Sequence, residues 1–245
     1  MPRRARQPSG TGYMHIIVRG IGKQILFEER EDYLFYLFSL KRFSRETETE
    51  VCAYCLMDNH VHLLLYRPDG EFSVIMKKLG VSYSKYYNEK YERMGHLFQD
   101  RYRSEAITDN IYLLTVFRYI LKNPEKAGIC PARDYEWSSY RAYGDPNAFA
   151  RPALLEKMIG DQSAYEAFVA SEDDKVDMDF DQIKHDDQWA ILKIRQLLGG
   201  QNGTALQNME RNTRDEMLKK LKEEGLTIRQ MERLTGLNRG IIQRA

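Results

Sequence analysis

The sequence predicts an α+β fold: an antiparallel sheet with helices on one face, followed by a small C-terminal all-α region. Three observations carry this. Strand-type apolar runs and amphipathic helical segments follow one another as β-α-β-β-α-β. Two of the strand-type runs are separated by only two residues, the spacing of a hairpin. The last stretch of the chain returns to helical spacing alone. The strand and helix order is the ferredoxin-like arrangement, whose four strands leave one sheet face open for a site.

YMHIIVRG (13–20) is β-rich and ends in a Gly-containing turn. EDYLFYLFSLKRFSRE (31–46) places Tyr33, Leu34, Leu37, Phe38 and Leu40 at helical spacing. EVCAYCLM (50–57) and HVHLLLYR (60–67) flank Asp58-Asn59, a pair suited to the left-handed conformations of a tight turn, so the two strands should pair antiparallel. An aromatic-rich helical segment (72–95) leads through a loop to a short strand, RYRSEAI (101–107), and a helix from Asp109 to about Asn123. Asp109 suits the N-cap, and Pro124 predicts the stop.

After Tyr143 the pattern weakens into a segment that ends in SEDDKVDMDFDQIKHDD (171–187), read as an acidic linker with a short helix around 152–169. Helical signals return at 209–225, 227–236 and 238–245. Thr227 and Gln230 have capping-box spacing, and Gly236 sits where a turn between two helices needs it. The last two segments therefore read as a helix-turn-helix. The domains expected are 1–144, the linker 145–187, and a DNA-binding region 188–245.

The formal net charge of +1 hides this division. Lys and Arg outnumber Asp and Glu 22 to 18 in residues 1–144 and 11 to 6 in 188–245, whereas acids prevail 12 to 4 between them. The first 24 residues hold Arg3, Arg4, Arg6, Arg19 and Lys23 and no acid, a composition suited to phosphate. No apolar run approaches the roughly 20 residues that span a bilayer, and no signal core follows the basic start, so a cytoplasmic chain with no membrane partner is expected. Three cysteines, an odd number, argue against a disulfide framework. Cys52 and Cys55 lie in a strand, where an odd separation should send them to opposite faces.

His60 and His62, at i and i+2 in a strand, project from one face and can share a metal ion. Tyr119 and Asn123 are neighbours on one helix face. A tyrosine hydroxyl, with an ordinary pKa of about 10, is a poor nucleophile unless charge developing at the phosphate is stabilised. A metal held by His60, His62 and the Asn123 amide oxygen would do so, and a phosphotyrosine link conserves the bond energy for rejoining. Residue pattern alone leaves Tyr83, Tyr86, Tyr87 and Tyr91 as competitors.

GYMHIIVRG, MDNHVHLLL, GHLFQDRYRSEAI, YLLTVFRYILKNPEKAGI and YEWSSYRAYG, in that order over about residues 12–144, resemble the blocks of the REP-associated tyrosine transposases, single-tyrosine HUH enzymes. The resemblance implies His60 and His62 as metal ligands, Asn123 as the residue completing the metal site, Tyr119 as the nucleophile, Mg²⁺ or Mn²⁺ as cofactor, and a 5′-phosphotyrosyl intermediate. It also implies nicking and rejoining of single-stranded, hairpin-containing DNA by a monomer or homodimer at the nucleoid. Candidate DNA contacts are Arg3, Arg4, Arg6, Lys85, Arg101 and Arg103, with Arg239, Gln243 and Arg244 on the expected recognition helix. The alternative is a regulator that binds DNA without cutting it, although such a protein has no need of all four site residues.

Overall fold

The computed structural model describes residues 9–171, 187–226 and 228–244. The chain divides into two compact units, Met1–Met178 and Asp179–Ala245.

The first unit runs β1 (Tyr13–Arg19), α1 (Arg30–Glu46), β2 (Glu50–Met57), β3 (His60–Tyr66), α2 (Ser73–Lys90), β4 (Arg103–Ala106) and α3 (Asn110–Lys126). The strands form one antiparallel sheet in the order β2-β3-β1-β4. Strand alternation sorts the side chains. Met14, Ile16, Val18, Leu56, Val61, Leu63 and Leu65 point to one face, where they meet Tyr36, Leu40 and Phe43 of α1 and Ile75, Leu79, Tyr83 and Tyr87 of α2. Each such large side chain, fully buried, contributes roughly 1.5–3 kcal/mol. The expected pair of helices on one face is thus present. α3 lies across the opposite face, with Leu113, Val116, Phe117 and Ile120 packed on Ala53, Cys55, Met57 and Leu64.

Four expectations need correction. The β2–β3 hairpin forms, with Met57 opposite His60, but neither Asp58 nor Asn59 is left-handed. The turn is held from outside: Leu26 N–H donates to the Asp58 carbonyl (2.6 Å), Gly20 N–H to that of Asn59 (2.9 Å), and Tyr33 Oη to Asp58 Oδ1 (3.0 Å). Such contacts replace the intrinsic preference of an isolated turn.

Cys52 and Cys55 share a face. The register slips between Val51 and Ala53, and this bulge turns Cys52 to the α3 side beside Ala53 and Cys55.

α3 does not stop before Pro124 but carries it and ends at Lys126. Pro124 has no N–H to donate to the Ile120 carbonyl, so α3 continues to Lys126 with that one ladder bond missing. The start is as read, with Asp109 accepting the Tyr112 amide at 2.8 Å.

The segment read as a linker contains two helices, α4 (Ala153–Ile159) and α5 (Gln162–Ala170), separated by Gly160 at φ 105°. Leu155, Tyr165 and Val169 are buried in the core beneath α3, so this stretch belongs to the first unit.

The second unit is helical: α6 (Asp187–Leu197), α7 (Arg211–Glu223), α8 (Ile228–Thr235) and α9 (Arg239–Arg244). Its core is Ala190, Ile194, Leu206, Leu218, Leu221, Met231 and Ile242. α8 and α9 are joined through Gly236 at φ 68°, the left-handed position that a C-terminal helix stop favours. The capping pair expected at Thr227 and Gln230 lies partly outside the described residues. Among the described residues no helix is long and apolar enough to cross a membrane.

Candidate active site

The site is built on the sheet face that α3 crosses. β3 alternates Val61, Leu63 and Leu65 toward α1 and α2, which leaves His60, His62 and Leu64 on the other side. The His60 and His62 rings lie edge to face with centroids 5.0 Å apart, and the Nε2 atoms of both are enclosed. The sequence reading of this pair as two imidazoles on one face is what the fold presents.

Each ring is held through Nδ1. His60 Nδ1 lies 2.7 Å from Asn59 Oδ1. The Asn59 amide nitrogen donates to the Lys23 carbonyl at 3.5 Å, so the oxygen faces the ring and His60 Nδ1–H is the donor. His62 Nδ1 lies 3.1 Å from Nε2 of His15 on β1, the two rings stacked at 5.3 Å. His15 did not figure among the candidate residues. Its signal was available: it sits at i−2 from Ile17, the residue that pairs with His62, so both histidines occupy one sheet face on adjacent strands. Burial, then the neighbouring His15, His60 and Arg19, hold the His62 imidazole well below its ordinary pKa.

α3 brings the tyrosine. Tyr119 is buried, its ring edge-on to His62 at 5.6 Å and to His15 at 6.1 Å between centroids. Two helical turns later, Lys126 places its Nζ 4.4 Å above the Tyr119 ring. Asn123 is buried one turn beyond Tyr119 and donates its Nδ2 to the Tyr119 carbonyl at 3.0 Å, so its Oδ1 is not the atom used in that bond. The competing tyrosines lie on α2, against the opposite sheet face. Their hydroxyls are committed there: Tyr83 to the Leu26 carbonyl, Tyr87 to that of Ile25, Tyr86 and Tyr91 to Asp32. Of the five tyrosines weighed from sequence, Tyr119 is the one beside the histidines.

Among the described residues no three or more His, Cys, Asp or Glu side chains form a group able to hold a metal ion. What the chain offers is two imidazoles and an amide oxygen. Imidazole nitrogens and an amide oxygen are donors to divalent cations, so the set is chemically able to hold one.

The basic candidates separate. Arg103 on β4 pairs with Ile17, which pairs with His62, so Arg103 stands in the same cross-strand row on the site face. Arg19, named in the basic N-terminal stretch but not among the candidate DNA contacts, pairs directly with His60. Lys85 projects from α2 on the other side of the sheet, in a 3.7 Å ion pair with Glu89. Arg101 lines a recess with Tyr36, Met76 and Phe98, also on the α1–α2 side. Arg239, Gln243 and Arg244 are exposed on α9 of the second unit. Arg3, Arg4 and Arg6 lie outside the described residues.

Part of the chain is similar to known proteins. Residues 10–123 match the family model described as "Transposase IS200 like". The fold is similar to that of a REP-associated tyrosine transposase solved bound to a REP hairpin, with a TM-score of 0.51 and 18% identity over 58% of this chain and 85% of that one. No curated protein sequence matches the chain. The sheet, His60, His62, Tyr119 and Asn123 all fall inside the matched segment, so it is residues 10–123, the part of the chain that carries the site, that are similar to the IS200-like transposases.

Proposed function

We propose that the protein is a metal-dependent transposase that nicks and rejoins single-stranded, hairpin-containing DNA through Tyr119. The observation that carries this reading is the placement of the Tyr119 ring edge-on to His62, on the one sheet face that also presents His60. The transposase of similar fold is bound to a REP hairpin, which favours a folded-back single strand as the substrate here.

In this mechanism the Tyr119 hydroxyl attacks the phosphorus. The new Oη–P bond forms as the P–O3′ bond breaks, the phenolic proton is given up, and the 3′ oxygen leaves and is protonated to a free hydroxyl. The DNA stays attached by its 5′ phosphate. Attack of a 3′-hydroxyl on that phosphotyrosine runs the same exchange in reverse and restores the tyrosine, so no nucleotide is hydrolysed. His60, His62 and Asn123 would hold Mg²⁺ or Mn²⁺, which supplies Lewis-acid polarisation of the scissile phosphate. Lys126 keeps a positive charge above a ring that becomes more anionic as it reacts. Arg19 and Arg103 are placed to meet phosphates on the site face. Docking of α9 through Arg239, Gln243 and Arg244 would add a duplex contact.

The test is incubation of the purified chain with a labelled hairpin oligonucleotide and Mn²⁺. A denaturant-resistant adduct on the 5′ side of the nick is expected, absent from Tyr119→Phe and from the His60→Ala, His62→Ala double variant. An adduct that survives Tyr119→Phe sinks the nucleophile assignment. Nicking without an adduct points to attack by water, and binding without nicking to a non-cleaving regulator.

A further inference from the structure

The geometry points to His15 as a positioning residue that fixes the tautomer of His62, the part Asn59 plays for His60. This rests on the reading of His60 and His62 as metal ligands. A histidine ligates through a nitrogen that carries a lone pair, and which nitrogen that is depends on what the other one donates to.

For His60 the question is closed by its neighbour. Asn59 Oδ1 can only accept, so His60 Nδ1 carries the proton and Nε2 the lone pair. His62 has a second imidazole in that place, His15 Nε2, at 3.1 Å from its Nδ1, with both rings buried. One of the two nitrogens must be the donor.

If His15 donates, the proton of a neutral His62 moves to Nε2, and the ring no longer matches His60. If His62 donates, both Nε2 atoms on the site face carry lone pairs, and His15 takes the Nδ1–H form. Only the second arrangement lets His60 and His62 act on one ion through equivalent atoms.

His15 is well placed to hold that arrangement. It is on the central strand β1, two residues from Ile17, the partner of His62, and stacks on His62 at an interplanar angle of 19°. The Tyr119 ring leans on both. His15 therefore orients the ligand and supports the tyrosine without itself being required as a ligand.

The experiment measures Mn²⁺ affinity of the full chain by calorimetry, together with ¹⁵N-resolved imidazole spectra of the Mg²⁺-loaded protein. His15→Leu removes the acceptor, whereas His15→Gln keeps an amide oxygen close to the place of Nε2. About 10- to 100-fold weaker Mn²⁺ binding is expected for His15→Leu, with most of the affinity regained in His15→Gln. In the wild-type spectrum His62 should carry its proton on Nδ1, as should His15.

Unchanged affinity in His15→Leu overturns the inference, and so does equal loss in both variants, which would mark His15 as a ligand or a packing residue. If His15→Leu does not fold, the wild-type spectrum decides, and a proton on His62 Nε2 overturns it. His62→Ala separates the two readings: retained Mn²⁺ binding there removes the metal assignment itself, whereas loss there with retention in His15→Leu removes only the role of His15.

Discussion

Asp32 gathers five donors at one buried carboxylate: the backbone amides of Glu28 and Glu29, the hydroxyls of Tyr86 and Tyr91, and the ammonium of Lys90. Burial by itself would raise its pKa, but the bonds from Lys90, Tyr91, the Glu29 amide and Tyr86 outweigh that and leave it below the ordinary carboxylate value. Asp32→Asn leaves Lys90 with Glu29 as its remaining carboxylate partner (2.9 Å) and weakens the bonds from Tyr86 and Tyr91, and should cost about 2 kcal/mol in denaturant unfolding. The sign with pH follows. The unfolded chain takes up the proton first as pH falls, so the stability Asp32 supplies is complete above the ordinary value of 3.8 and is lost as pH drops through the lower folded value. An acid titration of stability should therefore be shallower in Asp32→Asn than in the wild type. At the active site, Lys126→Met removes the charge above Tyr119 while keeping a long side chain. Because Lys126 is solvent-exposed the effect is screened, and adduct formation should slow by about fivefold, the equivalent of about 1 kcal/mol. Binding of the hairpin should be nearly unchanged. A matching fall in binding would place Lys126 on the DNA rather than over the ring.

At the level of elements, what was legible in the sequence depended on periodicity. The bounds of α1 were read to within a residue, but its buried face is Tyr33, Tyr36, Leu40 and Phe43, whereas Leu34 and Phe38 of the expected apolar set are exposed. The His60–His62 face was legible because β3 keeps strict alternation. Departures arose where a local rule was overruled by neighbours that sequence does not place. The β2 bulge that brings Cys52 and Cys55 together leaves no mark in an unbroken apolar run, and His15 reaches the site through pairing between strands distant in the chain. Pro124 forfeits one ladder bond inside α3, and the packing of the helix on the sheet carries the chain through it. The turn between α8 and α9, by contrast, follows its local chemistry. Gly236 has φ 68°, and a Cβ there would stand 2.4 Å from Gln207 Nε2, which itself donates to the Thr235 carbonyl at 2.7 Å. Gly236→Ala thus combines left-handed strain with displacement of Gln207 and should cost about 2 kcal/mol. In thermal unfolding the loss should appear in the transition of the second unit and leave that of the first in place. A shift of both transitions would mean that the units do not unfold independently.

For the whole molecule the unit boundary matters more than the end of the recognisable motifs. The blocks that resemble the transposases stop near residue 144, but Leu155, Tyr165 and Val169 complete the core under α3. Losing three large buried side chains removes roughly 5–8 kcal/mol, comparable with the whole stability of a typical domain. A chain cut after Gly144 should therefore lose its near-ultraviolet dichroism and aggregate, whereas one cut after Met178 should retain a cooperative transition. The second unit poses a different question, whether its α8–α9 pair serves DNA or only packs. Arg239 and Arg244 are exposed on α9, and a cation that meets a phosphate releases counterions, which makes binding salt-dependent. The double variant Arg239→Ala, Arg244→Ala leaves the core residue Ile242 in place, so the unit should stay folded. If both arginines touch duplex phosphates, a plot of log affinity against log salt for a hairpin with a long stem should become shallower by about 2. The same variant should form the tyrosine adduct at the wild-type rate once DNA is saturating, because the site face lies in the other unit. An unchanged slope would assign α9 to packing or self-association, and a slower adduct at saturation would couple it to the chemistry instead.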